Sequence, residues 1–459
     1  MTSASADPGS FRDPGGRVFS DGGRILRAVY DGAARDYERF RDSGLLAELV
    51  ASGRLVPSRE VEPASHPAGE NARFLLEHDR LPFVSYPYEW AFSQLRRAAL
   101  FQLDLLLGAL ERAFTLSDAS AYNIQFVGSE PIFIDHLSFK PYRDGELWAA
   151  HRQFCMQFLN PLILWSRFGM APNGWYRGNL EGIAPEELAP LLRLKDKLSL
   201  TIAGHVTAQA ALQRRANSGA GTAPARSLTK TAFKAMLMQL KSFIAGLRYP
   251  GGATVWGGYD SDNSYDAAEA RAKRAFVARM AADTRPGLLF DLGCNSGDYS
   301  IAALENGASY VVGFDFDFGA LERAAARSET AKLPFLPLWL DATNPSPSQG
   351  WNQHERRGFA ERARGDAVVA LAFIHHLAIA RNIPLGAAID WIMAVAPVGI
   401  IEFPPKSDPM VQQLLSRRED IFPDYTEEHF LAEVGKRGRV TATEHLSHGG
   451  RLMVAFDRR

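Results

Sequence analysis

Cysteine is nearly absent from this chain of 459 residues: there are two, Cys155 and Cys294. Two thiols cannot build a disulfide framework, which fits a reducing compartment. No run of about 18 apolar residues occurs. The most apolar helical stretch, "LRRAALFQLDLLLGALERAF", is interrupted by Gln102, Asp104 and Gly108. "MTSASADPGSFRDPGGRVF" lacks a basic stretch followed by an apolar one, so no secretory signal is read. Excess charge is also missing. The formal net charge is −1, which argues against nucleic acid or a membrane as a main partner. These absences predict a cytoplasmic protein. The two cysteines and scattered histidines, among them His354, His445 and His448, give no zinc spacing.

Ordinary globular material is present: 46% hydrophobic and 22% charged residues. The length suggests two or three domains. Residues 1–16 are rich in Gly, Pro, Ser and Asp and are predicted to be a disordered tail. A helical α+β domain is predicted over 17–213. It opens on a hairpin, "RVFSDGGRILRAVY", with "DGG" as the turn. A helix ending at Gly53 and a long helix over 94–114 follow, with short strands around "YNIQFVG" and "PIFIDHL". The small-residue segment 214–227 is read as a linker and 228–286 as a helical lead-in. From residue 287 short apolar strands alternate with helices, which predicts parallel strands with crossover helices to residue 459. The last stretch, "RVTATEHLSHGGRLMVAFD", reads as a terminal hairpin.

The chemistry concentrates at "LLFDLGCNSGDYS". A P-loop needs a Lys-Ser/Thr pair after its last glycine, and none follows Gly297. A dinucleotide turn needs a middle glycine, and Asn295 and its neighbours supply none. Asp291 ends the first strand, where a carboxylate repels a pyrophosphate and suits a cationic ligand. Asp315 ends the second strand, about 20 residues past the turn, a usual place for an acid that takes a ribose diol.

This set resembles the first motif and strand-end acids of class I S-adenosylmethionine (SAM)-dependent methyltransferases. The resemblance implies a Rossmann-like, seven-stranded α/β domain over 287–459. It also implies SAM as cofactor, held by Asp291, Gly293, Asn295, Gly297, Asp315 and, beside the adenine, Asp341. Methyl transfer needs alignment and exclusion of water, and a base only where the acceptor loses a proton. "ALAFIHHLAI" puts His375 and His376 near the reacting edge, with His376 favoured. Glu402 and Asp408 fall where an acceptor would lie. Tyr259, Tyr265 and Lys273 stand upstream, where family members cover the cofactor. No metal is expected in this domain.

A second constellation lies in the first half. Asp118, Asn123 and Asp135 match the spacing of a kinase-like base, metal-binding asparagine and second metal-binding aspartate. The resemblance implies a kinase-like domain with a reduced amino-terminal lobe, in which Arg27 stands where a kinase has lysine. The whole arrangement is also similar to bacterial nodulation-associated and surface-glycan-associated methyltransferase-like proteins, through "SYPYEW", "DASAYNIQFVG", "FIDHLSF", "QFLNPLIL", "HHL" and "EFPPKSDPMV". That similarity implies a small-molecule or glycan acceptor. The alternatives are a bifunctional protein with an ATP- and Mg-binding first half, and a non-enzymatic SAM-binding regulator.

Overall fold

The structure is a computed structural model that describes residues 5–217, 227–251, 267–416, 418–446 and 450–459. Tyr259, Tyr265, His448 and most of the expected linker lie outside the described residues. The chain divides into two compact units. The first comprises 1–126, 131–251 and 348–356, and the second 127–130, 252–347 and 357–459. No helix among the described residues is long and apolar enough to cross a membrane.

The first unit begins with a five-stranded antiparallel sheet of order β1-β2-β3-β5-β4. Its strands are β1 (Ser5–Ala6), β2 (Gly16–Asp21), β3 (Arg24–Val29), β4 (Ser58–Val61) and β5 (Phe74–His78). The β2–β3 hairpin turns at Gly22 and Gly23, both left-handed (φ 53° and 89°), as a two-residue hairpin turn requires. One expectation is overturned at the start of the chain. Residues 5–16 are not a disordered tail. Ser5 and Ala6 pair with β2, Asp7 caps the turn Pro8–Ser10, and Arg12 pairs with Glu355 at 3.0 Å. The opening hairpin has neighbours that its own sequence does not announce. The short strands β4 and β5 complete a sheet around it.

The expected helix ending at Gly53 is two helices, Asp31–Asp42 and Leu45–Ala51, broken at Gly44 (φ 80°). The long helix runs Phe92–Glu111 and buries an apolar face that includes Leu95, Leu103, Leu106 and Leu110. Two small antiparallel pairs follow: β6 (Phe114–Leu116) with β9 (Phe139–Pro141), and β7 (Ile124–Val127) with β8 (Glu130–Phe133). Helices dominate from His151 to Asn217, and a further helix spans Lys230–Gly246.

The second unit is a seven-stranded sheet, order β12-β11-β10-β13-β14-β16-β15. The strands are β10 (Leu289–Leu292), β11 (Val311–Asp315), β12 (Phe335–Trp339), β13 (Ala367–Ala370), β14 (Val398–Phe403), β15 (Arg439–His445) and β16 (Leu452–Asp457). β10 to β14 are parallel, and β16 runs antiparallel to both β14 and β15. Every residue of β10, β13 and β14 is buried. Parallel strands covered by helices on both faces read as continuous apolar runs for this reason. The chain winds from β10 outward through β11 and β12, then returns to β13 on the other side of β10. That reversal leaves a crevice at the carboxyl ends of β10 and β13.

Candidate functional site

At that crevice the second unit holds a cavity of about 580 Å3. The turn after β10 forms one wall. Gly293 is left-handed (φ 81°), and a Cβ there would meet the Phe373 ring at 3.1 Å. Asn295 is also left-handed (φ 47°) and lines the cavity. Its backbone N–H donates to Asp315 Oδ2 at 2.8 Å, while the Asp317 N–H donates to Asp315 Oδ1 at 2.8 Å. Each carboxylate oxygen of Asp315 thus holds one backbone donor and keeps further lone-pair capacity toward the cavity. Burial raises the Asp315 carboxyl against those two hydrogen bonds. Asp341, two residues beyond β12, is half-buried in the cavity wall and accepts from the Thr343 N–H (3.0 Å) and Oγ1 (2.6 Å).

Two expected cofactor contacts, Asp291 and Gly297, and one candidate base, His375, are absent from the cavity lining. Asp291 is buried behind the turn and accepts from Ser300 Oγ at 2.6 Å. Burial first, and then the nearby Asp315 and Asp298 charges, push its carboxyl up to about 7 despite the Ser300 bond. Gly297 serves packing. It is left-handed (φ 90°) before the helix Asp298–Glu305, and a Cβ would lie 2.6 Å from the Phe335 ring. His375 is fully buried, with neither ring nitrogen hydrogen-bonded among the described residues. It sits one helical step from His376, so one ring faces the core and the other the cavity. Burial, with Arg451 adding to it, lowers His376 to about 4, so its imidazole is neutral at neutral pH.

The opposite wall rests on a buried ionic network. Lys273, on the helix Ala267–Thr284, lies 2.8 Å from Glu402 and 3.5 Å from Glu269. Arg451 lies 3.0 Å from Glu402 and 2.6 Å from Asp408. Burial alone would raise the Glu402 carboxyl, but Lys273 and Arg451 outweigh it and hold it low. Glu402 also accepts the Ala372 N–H at 2.8 Å, and Ala372 is a cavity residue with positive φ (47°). Asp408, read as an acceptor-side residue, is outside the cavity lining. It caps the helix Pro409–Leu415 through the Met410 and Val411 N–H groups and pairs with Arg451.

Sequence reasoning missed Arg271, Arg274, Tyr299 and Phe316, all of which line the cavity. Arg271 and Arg274 stand three residues apart on the helix Ala267–Thr284, so they share a face. Phe316 directly follows Asp315 and is 54% exposed, and Tyr299 lies within the glycine-turn stretch itself.

In the first unit the structure brings the second constellation together. Asn123 Nδ2 donates to Asp118 Oδ2 at 2.9 Å, and Asp118 also accepts the Ser120 N–H. Arg27 pairs with Asp135 at 2.8 Å, and Asp135 accepts from Ser138 Oγ and the Leu137 N–H. Burial and the Asp135 charge raise Asp118. Burial would raise Asp135 as well, but Arg27 and the hydrogen bonds outweigh it. Arg27 thus holds Asp135 Oδ1, and Ser138 holds Oδ2.

Nodulation protein NoeA of Rhizobium meliloti (strain 1021) is 48% identical over 458 residues, spanning 98% of this chain and 95% of NoeA. No family profile matches. Among solved structures, magnesium protoporphyrin IX methyltransferase (ChlM) from Synechocystis PCC 6803 with bound SAH aligns with 44% of this chain and 93% of its own. It is 19% identical, with a TM-score of 0.32. N-methyltransferase NodS from Bradyrhizobium japonicum WM9 aligns with 42% of this chain and 97% of its own, at 12% identity and a TM-score of 0.31.

Proposed function

We propose that this chain, which belongs to the family of the nodulation protein NoeA, uses its second unit as a cytoplasmic SAM-dependent methyltransferase acting on a small-molecule or glycan acceptor. The observation that carries this reading is the row of groups along the carboxyl edge of the sheet. Gly293 and Asn295 follow β10, Asp315 ends β11 and Asp341 follows β12, all around one cavity. A ligand with a ribose and a cationic end suits that row. The Asp315 carboxylate would take the ribose hydroxyls, Asp341 would lie on the adenine side, and the Gly293 backbone would admit the amino-acid end. When bound, SAM supplies an activated methyl group. The protein aligns the acceptor, excludes water and takes up a proton where one is lost.

Calorimetry of SAM binding tests this. Asp315→Ala is expected to weaken binding more than tenfold, about 1.4 kcal/mol, in a folded protein. Unchanged affinity, or a folded wild type that takes no SAM, overturns the assignment.

His376 is the proposed base because it lines the cavity and is neutral at neutral pH. A base near 4 puts the acid limb of kcat/KM at about pH 4, well below that of an ordinary histidine. His376→Gln should lower kcat and remove that limb from the pH–rate profile. A limb that persists in the variant excludes His376 as its source.

A further inference from the structure

Three potential metal ligands converge in the first unit, far from any spacing motif in the sequence. His151 lies on the short helix His151–Phe154, and Cys155 follows it one turn later. His205 comes from a separate element, Ala203–Thr207. His151 Nε2 lies 2.8 Å from His205 Nδ1 and 3.7 Å from Cys155 Sγ, and one ligand atom from each residue lies within 4.8 Å of the other two. Both supporting segments, Cys155–Leu159 and Ala203–Thr207, are π-helical turns inserted between α-helical ones. Single π-turns are rare in proteins and recur at functional sites, because they reset which side chains face a given point.

The surroundings favour a cation between these atoms. Cys155 is fully buried and His205 is 8% exposed. Two imidazole nitrogens 2.8 Å apart hold one proton between them. Gln209 makes the outer contact, with its amide nitrogen 2.7 Å from His151 Nδ1. Its Oε1 is buried with no hydrogen-bond partner among the described residues. Turning that amide over satisfies it, because Oε1 then accepts from a protonated Nδ1. The same change leaves the lone pair of His151 Nε2 pointing at His205 and Cys155. Amide orientation and histidine tautomer are exchangeable in this way. An imidazole that gives its outer N–H to an oxygen acceptor while its inner nitrogen binds metal is the usual second layer of a metal site.

We propose that His151, Cys155 and His205 form a metal site for zinc or a similar borderline-soft divalent ion, with Gln209 orienting His151. Two imidazoles and a thiolate suit such an ion. Zinc–nitrogen bonds of about 2.0–2.1 Å ask the two rings to part by a few tenths of an ångström from their present contact. The fourth position is left to water or an incoming ligand. On binding, the Cys155 S–H bond breaks, its proton goes to solvent and the sulfur bonds the metal. One proton is therefore released per ion, with no redox change.

The test is titration of the full-length, chelator-treated protein with Co2+, with Zn2+ then added as competitor. The expected result is one ion per chain, one proton released at pH 7, and a sulfur-to-cobalt charge-transfer band that zinc abolishes. Cys155→Ser should lose the band, which separates Cys155 from the other cysteine, Cys294. Gln209→Leu keeps all three ligands and should retain the band while weakening binding by about 10–100-fold. Circular dichroism establishes that each variant is folded. Absence of saturable Co2+ uptake by the wild type overturns the site. So does a band that survives in Cys155→Ser, or an affinity unmoved in Gln209→Leu.

Discussion

Glu402→Leu is expected to destabilise the second unit by about 3–5 kcal/mol, the cost of removing one partner from a buried ion pair. Glu402 is fully buried between Lys273 and Arg451, which are themselves 2% and 4% exposed. Without it, Lys273 keeps Glu269 at 3.5 Å and Arg451 keeps Asp408, but neither cation regains its closest shared anion. The Ala372 N–H also loses its acceptor, at a residue whose positive φ already carries strain. The loss should extend to the cavity, because Ala372 and Phe373 line it. Urea denaturation of the full chain, followed through the transition of the second unit, measures the effect. The double variant Lys273→Met/Glu402→Leu should cost no more than Glu402→Leu alone, since the orphaned cation leaves with its partner. A loss below about 1 kcal/mol in Glu402→Leu would mean that water reaches the network and replaces the carboxylate.

The same network shows where sequence reading stops. The parallel sheet was legible because each strand is a mostly apolar run between turn residues, and Asp315 and Asp341 fall at or just past strand ends. Asp315 and Asp341 were found in this way. The ionic network joins residues 269, 273, 402, 408 and 451, and no local pattern links positions so far apart. Glu402 and Asp408 therefore read as acceptor-side acids when both are tied to Arg451. The adjacent histidines were separable only by the phase of the helix Ile374–Arg381. The direction of Asp291 was hidden for a related reason. Both faces of β10 are buried, so the usual polar–apolar alternation gives no clue to which face looks at the cavity. In the first unit, β4 and β5 were missed because they are short and set among prolines and glycine. The metal ligands are brought together only by the packing of two helical segments.

Asp291 supplies the second large effect, and it is one of pH. Its folded carboxyl, raised to about 7, sits above the ordinary aspartate range of about 3.9. The folded state therefore binds the proton more tightly than the unfolded chain, and stability falls as pH rises through that interval. Between pH 5 and pH 8 this one group should remove on the order of 3 kcal/mol. Asp291→Asn keeps the shape and can still accept from Ser300, but has no charge to bury. The variant's advantage over the wild type should therefore vanish only below the ordinary aspartate range and grow by about that amount between pH 5 and pH 8. Asp315 is shifted in the same direction and is present in both proteins, so the comparison largely cancels it. Identical pH slopes in denaturation experiments would refute the assignment. Binding gives an independent reading of the same charge. Under the proposed function, a sulfonium in the adjoining cavity would favour the ionised Asp291, whereas the uncharged sulfur of S-adenosylhomocysteine would not. Affinity for SAM should then rise from pH 5 to pH 8 more steeply than affinity for S-adenosylhomocysteine, and the excess slope should vanish in Asp291→Asn.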